Sequence, residues 1–176
     1  YIATRDGVEL LRSGMVDYVG ERKGSNGLFT DEGVSINLKE LKNEVDTTKG
    51  NVWGLIFSLK REDAERLGFD NASRWKDMIG SNFAEMAKAM KMAPENLKWY
   101  AAFHNEGHHP HVHIMVYSTN PKEGYLNNYG IDKVRSIFAK DIFAQDLESV
   151  YEDQTELRQK LKAIADELIK DILERA

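Results

Sequence analysis

The residues best suited to chemistry are histidines, and all of them lie within ten consecutive positions: His104, His108, His109, His111 and His113. Side chains alternate between the two faces of a strand, so His111 and His113 project from the same face of a strand expected over 111–118. His104 ends the preceding expected strand, 97–104, and the connection 105–110 can return the chain alongside it. The sequence therefore predicts that the imidazoles of His104, His111 and His113 converge on one point of a rigid sheet.

Three neutral imidazoles are ligands typical of a divalent transition metal such as zinc, manganese, cobalt or nickel. Three protein ligands also leave coordination positions open, which is the arrangement of catalytic metal sites. Glu106 and Glu123 are candidates for orienting an imidazole by accepting its second N–H. His108 and His109 fall in the connecting loop, where an ordinary surface position is as compatible with the pattern as a functional one.

The elements that must position these histidines alternate irregularly between strand and helix. We predict a short strand beginning at Leu28-Phe29, a helix over 36–45, a strand over 51–59, and helices over 61–67 and 71–91. Gly14, Gly20, Gly24 and Gly27 predict a loop-like segment before them. Residues 131–176 are predicted to be helical almost throughout. This order favours an α+β fold, with a mostly antiparallel central sheet, helices packed on it and a long C-terminal amphipathic helix.

The composition excludes several classes of protein. With 41% hydrophobic residues among 176, the chain can bury a core, which excludes disorder as its main state. The absence of cysteine excludes disulfides, thiolate zinc sites and cysteine nucleophiles. No long apolar run and no leader are visible, so we expect a cytoplasmic protein without membrane insertion. The net charge of −5 argues against binding nucleic acid by bulk charge alone, but permits local basic patches.

The stretch from His104 to His113 resembles the third motif of plasmid mobilisation relaxases of the MobA/MobL type. There, a histidine is followed, after six residues ending in proline, by histidine, a hydrophobic residue and histidine, and the last three are the signature of the HUH endonucleases. The family often has Asp and Glu after the first histidine, whereas Asn105, Glu106 and Gly107 follow it here. The similarity covers nearly all of the chain, including Trp99-Tyr-Ala-Ala-Phe-His104 and Gly27-Leu-Phe29.

Two tyrosine segments are similar to the nucleophile region of that family. One is Tyr1-Ile-Ala-Thr-Arg-Asp-Gly7, and the other is Tyr18-Val-Gly-Glu-Arg22. The resemblance therefore implies that Tyr1 or Tyr18 is the catalytic nucleophile. It also implies that nearby cations contact DNA phosphates, the candidates being Arg5, Arg12, Arg22 and Lys23.

The resemblance implies a metal-dependent relaxase with an HUH-type sheet. Such an enzyme nicks and rejoins one DNA strand at an origin of transfer through a covalent 5′-phosphotyrosyl intermediate. The implied cofactor is a divalent ion held by the three histidines, first manganese or magnesium, with zinc, nickel or cobalt as alternatives. The implied partners are single-stranded DNA at the origin and other relaxosome or coupling proteins.

The resemblance also suggests how the chain is divided. An HUH fold has a strand before the tyrosine-bearing helix, so we expect residues 1–130 to form a relaxase catalytic domain that lacks its first strand. Residues 131–176 are then a C-terminal helical extension.

Two alternatives use the same residues differently. The run from His109 to Met115 fits a histidine triad, in which His111 would attack a nucleotide phosphate in a hydrolase or transferase. Pro110 suits a paired strand poorly because it offers no N–H, and His104 would have no role. The other alternative is a metal-stabilised, non-enzymatic interaction module that docks a partner on the amphipathic stretch 147–172.

Overall fold

The computed structural model describes residues 13–20, 25–31 and 36–174. Within them, the strands are β1 Ser25–Phe29, β2 Val52–Ser58, β3 Leu97–His104 and β4 His111–Ser118. The helices are α1 Ser13–Gly20, α2 Leu38–Thr47, α3 Arg61–Leu67, α4 Ala72–Ser81, α5 Phe83–Ala89, α6 Asn128–Ile142 and α7 Ala144–Glu174. A 3-10 turn, Pro94–Asn96, leads into β3.

The described strands form one antiparallel sheet in the order β1-β3-β4-β2. The hairpin of β3 and β4 occupies its centre, with Leu97 opposite Ser118 and His104 opposite His111. Both central strands are buried along most of their length, which explains their apolar and aromatic composition. The α+β class, the antiparallel sheet and the long C-terminal helix are therefore as predicted.

The two faces of the sheet are covered by different helices. On one face, Val16 of α1 and Leu41 and Val45 of α2 pack with Met115 and Tyr117 of β4 in a single buried cluster. Since β4 side chains alternate, His111 and His113 share this face. The histidines therefore lie on the side of the sheet that α1 and α2 cover.

Aromatic rings fill the opposite face. Trp75 of α4 meets the ring of Phe69 edge-on at 4.8 Å and stacks near Phe103 of β3 at 6.5 Å between centroids. Its indole N–H donates to the Phe69 carbonyl at 2.9 Å, so the buried polar group of the ring is satisfied. The rings of Phe57 in β2 and Phe138 in α6 are in contact, with their centroids 4.5 Å apart. The residue before His104 is thus fixed in a rigid core, which limits how far the histidine can move.

The segment around Gly14 and Gly20 corrects the sequence prediction, because it forms helix α1 and not a loop. Val16 and Val19 of this helix are almost fully buried. Most of the stability of a short helix in a protein comes from packing of its apolar side, and here that packing outweighs the low helix propensity of glycine.

The helix predicted over 71–91 is two helices, α4 and α5, that meet at Asn82. The Asn82 side chain donates to the Met78 carbonyl at 2.9 Å, and asparagine amides that bond to nearby backbone compete with helix continuation. The helical stretch predicted from 131 is α6 and α7, separated at Phe143. Backbone bonds from Phe143 to Ala139 and from Leu147 to Phe143 continue the helical pattern across this junction.

By compactness, the chain divides into two units, the first ending at Phe138 and the second beginning at Ala139. The first contains the sheet and the helices that cover it. The second contains the end of α6 and all of α7. The assignment of residues 1–130 to catalysis and of 131–176 to an extension remains a prediction.

Candidate functional site

The β3–β4 hairpin brings three histidine side chains together at one end of the sheet. His104 is the direct cross-strand partner of His111, and His113 follows two positions along β4 on the same face. The ring centroids of His104 and His111 lie 5.1 Å apart, those of His104 and His113 4.9 Å, and those of His111 and His113 5.0 Å. The three imidazoles therefore form a nearly equilateral triangle, which we call the histidine cluster.

The members of the histidine cluster differ in exposure. His104 is 0% exposed and His113 is 5% exposed, whereas His111 is partly open to solvent. Imidazole is rarely buried without a specific role for its nitrogens, because an unsatisfied polar group in the interior is costly. The cluster therefore has a closed side, formed by the sheet, and an open side at His111 from which a ligand can approach.

Backbone hydrogen bonds set the proton positions on two of the rings. Nε2 of His104 lies 3.2 Å from the carbonyl oxygen of Val19, and Nδ1 of His111 lies 2.9 Å from that of His109. A carbonyl oxygen only accepts, so the ring nitrogen in each pair must carry the proton and donate. In the neutral ring this leaves a lone pair on Nδ1 of His104 and on Nε2 of His111, the state required of a metal ligand.

The Val19 carbonyl belongs to the last turn of α1, where backbone carbonyls have no partner within the helix. His104 thus supplies a donor to the C-terminal end of α1 and connects this helix to the histidine cluster. Tyr18 is part of α1, next to Val19, but its side chain lies outside the described residues. Tyr1, Arg5, Arg12, Arg22 and Lys23 also lie outside them.

Glu106 lies close enough to the histidine cluster to be a metal ligand itself, and not only a group that orients an imidazole. One ligand atom from each of His104, Glu106 and His111 lies within 4.8 Å of the other two. Two imidazoles and a carboxylate form a donor set that suits a divalent transition metal, as do three imidazoles. The ligand atoms of His104, Glu106 and His111 therefore fit a metal ion, and His113, whose ring completes the histidine cluster, remains a ligand predicted from the sequence.

The loop that carries Glu106 is anchored by Arg61, which the sequence did not single out as functional. The Arg61 guanidinium donates to the carbonyls of Gly107 and Glu106, both at 2.8 Å, and its backbone N–H donates to that of His108 at 3.1 Å. Two residues before Arg61, the Leu59 N–H donates to the Pro110 carbonyl at 3.1 Å. The start of α3 thus fixes the turn between the two histidine strands. No local signal identifies this contact, since it joins residues 45 and 46 positions apart.

Glu123 does not belong to the site, which corrects the sequence prediction. It lies beside Ser118, the last residue of β4. Ser118 is seven residues, or roughly 23 Å along the strand, from His111. Its carboxylate accepts from the Ser118 hydroxyl at 2.8 Å, the Asn96 and Asn120 amides at 3.0 Å and the Ala93 N–H at 3.1 Å. These bonds, that from Ser118 above all, favour the ionised form and lower the pKa of Glu123. Its role is to hold the loop that follows β4.

Glu106→Gln separates the two possible donor sets. If Glu106 binds the metal, the affinity for Mn²⁺ measured by calorimetry should fall about 10-fold to 100-fold, because a neutral amide oxygen is a weaker ligand than a carboxylate. Glu62→Gln in the first turn of α3 is the matched control, because Glu62 is exposed and its substitution removes the same charge. Unchanged affinity in Glu106→Gln would exclude the carboxylate and leave His113 as the third ligand.

The fold and the cluster together define an α+β sheet protein in which His104, Glu106 and His111 are close enough to hold a metal ion. The family model for MobL relaxases matches residues 7–175, and the chain therefore belongs to the MobL relaxase family. Relaxases of this kind are enzymes of plasmid mobilisation that bind and nick DNA, and membership of the HUH superfamily is consistent with the match. No curated protein and no solved structure matches the chain.

None of the helices in residues 13–20 and 36–174 combines the length and the apolar character needed to cross a bilayer.

Proposed function

We propose that this relaxase nicks and rejoins single-stranded DNA at an origin of transfer, in a site- and strand-specific reaction that depends on a divalent metal at the histidine cluster. The observation that carries the proposal is the triangle of imidazoles with centroids 4.9–5.1 Å apart, two of whose rings are held by backbone carbonyls in the metal-binding tautomer. The family match supplies the reaction class.

The proposed chemistry is a transesterification at phosphorus. The oxygen of a tyrosine forms a bond to the scissile phosphorus, and the bond from phosphorus to the 3′ oxygen of the upstream nucleotide breaks. The phenolic proton is given up, the 3′ oxygen takes a proton and leaves as a hydroxyl, and the downstream strand stays linked through its 5′ phosphate. Because the ester retains the bond energy, attack by a 3′ hydroxyl reverses the step without ATP. A divalent ion would withdraw charge from the non-bridging oxygens and orient the phosphate.

The chain's own residues would divide the work as follows. His104 and His111 hold the ion, with His113 or Glu106 as the third ligand. Their backbone partners prevent the rings from rotating, which fixes the direction of each lone pair. Arg61 keeps the connecting loop in place, so that the phosphate meets a preorganised site.

Tyr1 and Tyr18 both remain candidates for the nucleophile. The position of Tyr18 supports its candidacy, because it lies in α1, whose last turn accepts a hydrogen bond from His104. Tyr1 is supported by the similarity of the segment that follows it to the family's nucleophile region. Variants of each tyrosine decide between them and are described in the Discussion.

The chemistry of the donor set supports a proposal for the metal. Imidazole nitrogens favour first-row transition ions, whereas magnesium is held by oxygen ligands and retains much of its water. We therefore propose manganese before magnesium, with zinc, nickel and cobalt as competitors of the same site.

DNA binding has to overcome an acidic overall charge. With a net charge of −5, the protein needs local cations and stacking groups at the site to hold a single strand. Arg5, Arg22 and Lys23, together with Arg12, are the candidates for phosphate contacts. Other relaxosome or coupling proteins are proposed as further partners, because they can supply contacts with the surrounding duplex.

Two observations favour the relaxase over a histidine triad hydrolase. His109 precedes β4 and is exposed, so it does not continue the face formed by His111 and His113. His104, which a triad would not use, has its ring within 5.1 Å of both.

A random-sequence single-stranded oligonucleotide library, labelled at either end, tests the proposed reaction. With Mn²⁺, a 3′ label should migrate with the denatured protein after heating in SDS, whereas a 5′ label should appear only on free fragments that end in a 3′ hydroxyl. EDTA should suppress both products. Cleavage that leaves neither label on the protein would exclude the phosphotyrosyl intermediate. Absence of cleavage in every ion tried would contradict the proposed function of the chain.

A further inference from the structure

Helix α7 exposes a long apolar stripe. Along its described side chains, the stripe consists of Leu147, Val150, Leu157, Leu161, Ile164 and Leu168. Successive members are three or four residues apart, except that Gln154 stands between Val150 and Leu157. Each of these side chains is between 39% and 66% exposed. An apolar surface of this length on a helix of 31 residues is far beyond the scattered apolar side chains of an ordinary surface. The stripe therefore requires a partner.

The spacing is that of a coiled-coil seam. If Leu147 is placed at position a of a heptad, then Leu161 and Leu168 are also at a, and Val150, Leu157 and Ile164 are at d. Only one seam position in this stretch is polar: Gln154, at a. The seam extends over three heptads, which is the length at which such a pattern becomes specific for a coiled coil.

The residues that flank the seam indicate which partner fits. Asp153 is at position g and Arg158 is at position e of the next heptad, and both are exposed. In a parallel pair of identical helices, each g residue faces the e residue of the following heptad on the other chain. A second copy therefore places Asp153 against Arg158 twice, once on each side of the seam.

Gln154 selects the same arrangement. In a parallel, in-register pair, the two Gln154 side chains face each other across the seam, where each amide can donate to the other. In an antiparallel pair each a residue packs against a d residue, and Gln154 would be buried against an apolar side chain at the cost of an unsatisfied amide. Single polar a residues are known to fix register and orientation in this way.

We propose that α7 binds a second copy of this chain as a parallel, in-register, two-stranded coiled coil. The apolar stripe supplies the association energy, and Asp153, Gln154 and Arg158 set the partner and its direction. This inference rests on α7 alone and does not depend on the proposed chemistry.

Sedimentation of the full chain over a range of concentrations tests the association. The expected mass is twice 20.1 kDa, falling to 20.1 kDa in a Leu157→Glu, Leu161→Glu variant. The control carries two new carboxylates on the outer side of the same helix, Thr155→Glu and Gln159→Glu, and should remain dimeric. A wild-type chain that sediments as a monomer throughout would overturn the proposal, and so would a control as monomeric as the seam variant.

The orientation is tested by single cysteines, since the chain has none of its own. Gln154→Cys, oxidised with diamide, should give a disulfide-linked dimer, and Gln159→Cys on the outer side should not. Equal cross-linking of the two variants, or none in Gln154→Cys, would contradict the in-register seam.

The charge pairs are tested by reversal. Asp153→Arg should raise the dimer dissociation constant by about tenfold or more, because it places like charges together twice. Addition of Arg158→Asp to this variant should return the dissociation constant to the wild-type value. Failure of the double reversal to restore association would show that the pairs do not set the partner.

Discussion

His111→Ala is expected to lower the rate of metal-dependent DNA nicking by roughly 10²-fold to 10³-fold, because a bound ion contributes several kcal/mol to stabilising charge on the reacting phosphate. His111 is common to both possible donor sets, and it lies at the open side of the histidine cluster. The rate is measured with a 3′-labelled single strand at saturating Mn²⁺. Since His111 is only partly buried, its removal should leave the fold intact.

His109→Ala is the matched control for this variant. His109 is an exposed histidine in the adjoining loop, and its contribution to His111 is made by its backbone carbonyl, which alanine retains. Its nicking rate should stay near that of the wild type. Thermal unfolding of both variants separates loss of activity from loss of structure. A His111→Ala protein that is folded and nicks at the wild-type rate would contradict the assignment of the metal to this cluster.

Replacement of the nucleophilic tyrosine by phenylalanine is expected to abolish the covalent protein–DNA adduct and to leave metal binding unchanged. The change removes only the attacking oxygen, for which the ring has no substitute. Tyr1→Phe and Tyr18→Phe are compared singly and together, with adduct formation read from the 3′ label and Mn²⁺ affinity from calorimetry. One single variant should be as inactive as the double variant, and that result identifies the nucleophile.

Tyr129→Phe is the control, because the Tyr129 side chain is 77% exposed at the start of α6. It should form the adduct as the wild type does. An adduct that persists in the Tyr1→Phe, Tyr18→Phe double variant would show that another residue attacks the phosphate. Loss of Mn²⁺ binding in either single variant would instead indicate that the tyrosine acts through the metal site.

The part of the site that could be predicted from the sequence is the part that local periodicity determines. Alternation along 111–118 places His111 and His113 on one face, and a short connection after His104 makes a hairpin the simplest topology. Both elements form with the predicted bounds. The convergence of the three rings therefore follows from a pattern of ten residues.

What could not be predicted depends on contacts between distant segments. Arg61 donates to the carbonyl of Glu106, which is 45 positions away in the chain. Nothing in the sequence around Arg61 distinguishes it from an ordinary surface cation. Val19 orients His104 from 85 positions away, through a carbonyl that every residue has. The sequence makes Glu123 a candidate for orienting an imidazole, but the extended geometry of β4 carries it to the other end of the sheet.

Contacts between distant segments also explain why the segment predicted as a loop forms helix α1. Gly14 and Gly20 indicate a loop by intrinsic propensity, whereas the burial of Val16 and Val19 against the sheet stabilises α1. Tertiary packing of this kind cannot be predicted from the propensities of neighbouring residues in the sequence. The packing bears on the proposed nucleophile, because it places the helix that contains Tyr18 on the histidine face of the sheet.

The most direct test of the metal-dependent site is a calorimetric titration of metal-stripped protein with Mn²⁺, beside the His111→Ala variant. We expect binding close to one equivalent in the wild type and none in the variant, with zinc and nickel competing for the same site. Absence of binding in the wild type with every ion, or equal binding in His111→Ala, would contradict a metal centre built on His104 and His111.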